Sequence, residues 1–159
     1  MRDIAHGIYP SPLGAFGVLE ALRAQAMRTP LDIRLEGTAP RSTEQAEVAV
    51  YFSCLEAIQN VAKHAGQEAR VTLRFQHQHA TLVARIADDG DPTHTANGDG
   101  LGNILDRIQT LGGTVGLTSK PGRGTVLTIS LPWPPRQRWP APLHRRIPQP
   151  RLPRTPWLG

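Results

Sequence analysis

Three short blocks of this 159-residue sequence carry side chains that could do chemistry together. Glu56, Asn60 and Lys63 recur at spacings of four and three, so on a helix they project from one face. A carboxylate there can accept a proton or orient a nucleophile, an amide oxygen can complete the shell of a hard cation, and an ammonium can neutralise phosphate oxygens. Asp88-Asp89-Gly90 follows the apolar run Leu82, Val83, Ile86, which places carboxylates at the mouth of a strand. A buried carboxylate at that point can accept a hydrogen bond from the exocyclic amine of adenine, and Gly90 lets the backbone come close to a bound ring. Gly98-Asp99-Gly100-Leu101-Gly102 sets several unobstructed amides just before a helix opening at Asn103, where free N–H groups and the positive end of the helix dipole favour a polyphosphate. No Gly-Lys-Ser/Thr follows, so this is not a Walker loop, and no strand-linked Gly-x-Gly-x-x-Gly unit can be drawn.

These blocks need elements to carry them. Leu13, Phe16, Leu19, Leu22 and Ala26 recur at three and four, which predicts one amphipathic helix from Leu13 to Met27, stopped by Pro30. Asp32 to Glu36 alternates like a half-buried strand and ends at Gly37. Ser42 with Gln45 fits a capping box, opening a long helix with Val48, Tyr51, Phe52, Leu55, Ile58 and Ala62 along one side and its end near Gly66. Two strands follow, Arg70 to His77 and Thr81 to Ala87, and then a polar loop from Asp88 to Gly98. A helix from about Asn103 to Leu111 leads through Gly112-Gly113 to strands Thr114 to Ser119 and Thr125 to Leu131, joined by a turn at Lys120-Pro121-Gly122-Arg123-Gly124. The order strand, helix, two strands, helix, two strands predicts an α/β two-layer sandwich with helices on one face of a mixed sheet.

Charge is unevenly spread. Six of the 18 Lys and Arg residues, and none of the 13 acids, lie from Pro132 onward. The preceding residues therefore carry 12 basic against 13 acidic groups, so the net charge of +5 belongs to the end of the chain and gives no support for nucleic-acid binding by the body. That end also holds nine of the 15 Pro and all three Trp, and residues 133–159 read as a disordered tail that could dock in polyproline II form. The single Cys54 sits in an apolar helical pattern, read as a buried core residue of a reducing compartment. No run approaches the roughly 18 apolar residues of a membrane span, and a cytoplasmic protein is expected. His77 and His79 bracket a hairpin turn and are expected to be exposed, and with His94 and His144 they show no ligand spacing for a metal cage.

In their order and spacing the three blocks resemble the N, G1 and G2 boxes of the GHKL ATPase superfamily, whose ATP-binding fold is the Bergerat type. Asn60-Val61-Ala62-Lys63-His64-Ala65, Gly100-Leu101-Gly102-Asn103-Ile104-Leu105-Asp106-Arg107, Leu111-Gly112-Gly113 and Ser119-Lys120-Pro121-Gly122-Arg123-Gly124-Thr125 are similar to the catalytic domain of two-component sensor histidine kinases of the nitrate-sensor/DegS type. The resemblance runs from about Asp32 to Pro132. It implies ATP and Mg²⁺ as cofactors, with Glu56 as general base or polarising acid, Asn60 as Mg²⁺ ligand, and Lys63 and His64 approaching the phosphates. It also implies that Asp88 holds the adenine amine, that Gly90 lines the base pocket, and that Thr125 supports the carboxylate through water. Gly98, Gly100, Leu101 and Gly102 would form the phosphate side, with residues 91–97 as a short lid.

Two features depart from the family pattern. Pro92 stands where a second glycine is usual, and no phosphoacceptor His followed by Asp is found, since His6 precedes Gly7. Residues 1–30 then read as the remnant of a dimerisation helix, 31–132 as the ATP-binding domain, and the expected partners in trans are a histidine-bearing dimerisation domain and a response regulator. The rival expectations are a serine kinase of the anti-sigma-factor type and a non-catalytic nucleotide-dependent interaction module.

Overall fold

The structure, a computed structural model, describes residues 10–64, 68–90 and 99–137. Its elements are α1 (Ser11–Phe16), α2 (Val18–Ala26), β1 (Asp32–Gly37), α3 (Glu44–His64), β2 (Arg70–Gln78), β3 (Thr81–Asp88), α4 (Asp99–Thr110), β4 (Thr114–Lys120) and β5 (Gly124–Pro132). The strands form one sheet in the order β1-β2-β3-β5-β4. β1 pairs with β2 in parallel, and the other three pairings are antiparallel, so the sheet is mixed as the sequence predicts.

Alternation decides which face is covered. Val71, Leu73 and Phe75 of β2, Leu82, Ala84 and Ile86 of β3, and Leu127, Ile129 and Leu131 of β5 are all buried, while the intervening residues are half-buried or exposed. The helices close over that one face, contributing Leu22 from α2, Val50, Cys54 and Val61 from α3, and Ile104 and Ile108 from α4. Cys54 is fully buried, and the loss of hydration pushes its thiol up to about 12, which fits the core role read from the sequence. His77 and His79 are exposed.

Four expectations need correction. The single helix over Leu13 to Met27 is two helices, because Gly17 breaks it with φ +90° and ψ −177°. The break resets the helical phase, so Phe16 is 70% exposed while Val18 and Ala21 are buried. Helix α3 begins one residue later than the Ser42 box implies: Thr43 Oγ1 accepts the Ala46 N–H at 3.3 Å, and Ser42 Oγ instead donates to the Pro134 carbonyl at 2.6 Å. The apolar stripe of α3 is also rotated: Tyr51 and Ile58 are buried as read, but they are joined by Val50, Cys54, Ala57 and Val61, while Val48, Phe52 and Leu55 are half-buried and Ala62 is exposed. Leu13, Val18, Ala21 and Leu22, from the first 30 residues, pack into the common core.

The fourth correction concerns the end of the chain. Trp133, read as part of a disordered tail, is 1% exposed. Its Nε1–H donates to the Pro40 carbonyl at 2.7 Å and its backbone N–H donates to the Ala80 carbonyl at 2.7 Å. Pro135 bridges to Ser42, so residues 133–137 lie against the body, and residues 138–159 lie outside the described residues. A second clamp ties the start of the chain to α3. The carboxylate of Glu47, buried on α3, accepts Arg41 Nε at 2.8 Å and the Ser42 N–H at 2.9 Å, while Arg41 Nη2 donates to the Gly14 carbonyl at 3.0 Å.

Replacing Trp133 by Ala removes a fully packed ring and a buried hydrogen bond. Urea unfolding of this variant is expected to show a loss of about 3–5 kcal/mol; an unchanged unfolding midpoint would return Trp133 to the tail.

Candidate functional site

Helices α3 and α4 both lie on the covered face, and between them the sheet stays partly open. The gap is a narrow cavity of about 50 Å³ that opens to solvent. Ala57, Asn60 and Val61 of α3, Leu101 and Ile104 of α4, and Ile86, Asp88, Leu117, Thr125 and Leu127 of the sheet line it. One residue from each of the three sequence blocks, Asn60, Asp88 and Leu101, thus shares a wall of one cavity, together with Thr125.

Register puts these groups together. Asp88 continues the inward series Leu82, Ala84, Ile86 of β3 and lies opposite Thr125 of β5. Thr125 Oγ1 is 2.9 Å from Ser119 Oγ across the β4–β5 pair. Gly124 holds this corner: its φ is +78°, and a Cβ there would stand 1.8 Å from the Asp88 carbonyl oxygen, so β5 reaches Asp88 only without a side chain at 124. Asp89 points elsewhere, its Oδ1 accepting the Arg70 N–H at 2.7 Å. Of the two adjacent carboxylates only Asp88 faces the cavity.

Asp88 is 9% exposed. Burial pushes its carboxyl pKa above the usual aspartate range; the Gly90 N–H, donated to Oδ1 at 3.0 Å, pulls the other way, and the charge of Asp89 adds a smaller upward push. Among the described residues no other donor bonds to this carboxylate. The floor around it is apolar, formed by Ile86, Ile104, Leu117 and Leu127. That combination, aliphatic side chains around a buried carboxylate acceptor, suits an aromatic ring carrying an amine.

The phosphate side differs from the sequence reading in one respect. Helix α4 starts at Asp99 rather than near Asn103, so Gly100, Leu101 and Gly102 form its first turn instead of the loop before it. The N–H groups of that turn still lack intrahelical acceptors. A Cβ at Gly100 would meet Asn60 Nδ2 at 2.5 Å, so this glycine lets α4 seat directly on the amide of Asn60. A Cβ at Gly102 would meet nothing among the described residues within 4 Å.

Other candidate residues fall outside the cavity. Lys63 and His64 are exposed at the end of α3, and Gly90 engages Asp88 without lining the wall. Glu56 is also off the wall and is taken up by α4: Oε1 accepts Asn103 Nδ2 at 3.1 Å and Oε2 accepts Arg107 Nη1 at 3.3 Å. Gly98 and the lid residues 91–97, like His6, lie outside the described residues. Among the described residues no cluster of three or more His, Cys, Asp or Glu could hold a metal ion. The sequence reading missed the aliphatic walls and the Asn103 and Arg107 contacts; the one available signal was the spacing of 100, 103 and 107, which puts those residues along one side of α4.

Comparison with known proteins finds similarity to sensor kinases. It is 35% identical over 114 residues to the signal transduction histidine-protein kinase/phosphatase UhpB of Salmonella typhimurium, covering 70% of this chain and 22% of that protein. It is 31% identical over 106 residues to the histidine-protein kinase/phosphatase DegS of Brevibacillus brevis, covering 64% of this chain and 27% of that protein. The chain therefore spans about a quarter of the length of these relatives. The ATP-binding domain of PrrB from Mycobacterium tuberculosis superposes with a TM-score of 0.57 at 25% identity, covering 74% of this chain and 91% of that one. A blue-light activated histidine kinase of Erythrobacter litoralis gives a TM-score of 0.61 at 22% identity, covering 77% of this chain and 42% of that one. No family model matches the sequence.

The raised pKa of Asp88 has a consequence for stability. A carboxyl that binds its proton more tightly in the folded state stabilises the fold below the ordinary aspartate pKa, and that contribution is lost as pH rises through the folded value. Asp88→Asn, which keeps the acceptor for Gly90 without the charge, is therefore expected to raise the melting temperature of the ligand-free protein at pH 7. The gain should vanish below about pH 3.9; a variant less stable than wild type at pH 7 would contradict the assignment.

Proposed function

We propose that the folded body of this chain, which is similar to the ATP-binding catalytic domains of two-component sensor histidine kinases, binds Mg-ATP in the α3–α4 cavity and supplies the γ-phosphoryl group to a histidine presented by a partner. The reading rests on one observation: Asn60, Asp88 and Leu101, from three separated blocks of sequence, line the same cavity. The phosphohistidine would then serve a response regulator in the cytosol, as in two-component signalling. No helix among the described residues is long and apolar enough to cross a membrane.

The roles follow from the chemistry of each wall. Asp88 accepts the exocyclic amine of adenine, supported by Thr125, while Ile86, Ile104, Leu117 and Leu127 pack on the faces of the ring and keep water from the acceptor. Guanine would set a carbonyl against the same carboxylate, so the site selects adenine. Gly90, bonded to Asp88, fixes the entrance to the base pocket. The first-turn amides of α4, from Gly100 to Gly102 and with Gly98 ahead of them, take phosphate oxygens, and the open surroundings of Gly102 leave room for that approach. Lys63 adds positive charge from the end of α3, with His64 beside it in the last turn.

Mg²⁺ fits the donor set. Its octahedral shell is usually completed by water and substrate phosphates around one or two protein oxygens, and the half-buried carboxamide of Asn60 on the cavity wall is such a donor. When bound, the ion would neutralise charge on the phosphates, and Asn60 Oδ1 would hold it. The remaining catalytic contribution of this chain is positional: it fixes the base, immobilises the polyphosphate and presents the terminal group to an incoming imidazole.

Asn60→Ala and Asp88→Ala should each weaken Mg-ATP binding by at least about tenfold, which corresponds to about 1.4 kcal/mol, with circular dichroism unchanged. Calorimetric titration tests this, and an internal control separates the two roles. In excess EDTA the Asn60 variant should approach wild-type affinity while the Asp88 variant stays weak. Wild-type affinity of either variant for Mg-ATP would refute the site.

A further inference from the structure

Glu56 occupies the position from which the family pattern implies a base, yet both of its carboxylate oxygens are turned onto α4. Oε1 accepts from Asn103 and Oε2 from Arg107, with the Glu56 and Arg107 side chains 20% and 28% exposed. One turn further along α3, Asn60 meets the bare backbone of Gly100. The two contacts run in step: 56 and 60 on α3 face 103/107 and 100 on α4, so the helices are joined along one polar seam. The seam ends at the first turn of α4, whose N–H groups have no acceptor within the helix.

We infer that the Glu56–Arg107 pair, with Asn103, is a positioning device that sets the first turn of α4 in register with Asn60, and so builds the polyphosphate half of the site. Arg107 acts through Glu56 and touches no ligand. The base half is built differently, by strand register and by Gly124 against Asp88, so the two halves of the site have separate supports. This inference rests on the ATP-binding reading and adds to it a division of labour: loss of the pair should cost affinity for phosphates and spare affinity for the base.

The test compares ATP with adenosine on the full chain by NMR titration of wild type, Glu56→Gln, Arg107→Gln, the double variant and Arg107→Lys. Each single Gln variant is expected to weaken Mg-ATP binding by about tenfold while adenosine binding stays within about twofold of wild type. The double variant should bind ATP no more weakly than either single one, because both remove the same contact. Arg107→Lys should restore part of the loss. If wild type binds no ATP, the underlying reading fails. If it binds and the Arg107→Gln variant binds ATP equally well, the positioning role fails. A parallel loss of ATP and adenosine would reduce the pair to general support of the fold, and additive losses in the double variant would give Glu56 a role of its own; either result overturns the inference.

Discussion

Asp88 stands on the covered face of the sheet, where every other inward residue of β3 is apolar, and among the described residues no salt bridge meets its ionised form there. That one constraint organises the neighbourhood. The Gly90 N–H turns back to the carboxylate, Thr125 lies across from it, and Gly124 gives up a side chain so that β5 can pass its backbone. The result is a desolvated acceptor at the base of an apolar slot, a combination suited to an aromatic amine.

The second determinant is that two helices share one face. Helix α3 covers the sheet with Val50, Cys54 and Val61, and α4 covers it with Ile104 and Ile108. Their meeting line is polar, and its closest point is a glycine against an amide. Under the proposed reading neither helix alone makes a site: α3 would supply the carboxamide of Asn60, and α4 the first-turn amides. The ATP-binding catalytic domains of sensor kinases exploit the same arrangement of mixed sheet and one-sided helices, and this chain shares that architecture with them.

Much of this was legible in the sequence for a local reason. The strands run six to nine residues with punctuation by Gly and Pro, so their order along the chain, the inward residues of β2, β3 and β5 and the placing of Asp88 at a strand exit follow from period two alone. What escaped was set by partners far along the chain. Trp133 looks like tail until Pro40, 93 residues earlier, accepts its indole N–H. Ser42 looks like a cap until Pro134, 92 residues later, takes its hydroxyl. Glu56 looks like a free acid until Arg107, 51 residues on, pairs with it. The break at Gly17 and the early start of α4 are failures of a different kind, since helical periodicity tolerates a phase reset that only packing reveals. The apolar walls of the cavity were invisible because Ile86, Leu117 and Leu127 are indistinguishable by type from any other core residue.

The central claim is that three stretches of sequence converge on one nucleotide. Amide chemical shifts recorded while a magnesium-bound, non-hydrolysable ATP analogue is titrated in would test it most directly. The account predicts shifts concentrated on residues 57–61, 86–90, 99–104 and the 117 and 125–127 strand ends, with the uncovered sheet face around Arg74 and Arg85 undisturbed. Saturating shifts on that opposite face, or none at millimolar analogue, would contradict it.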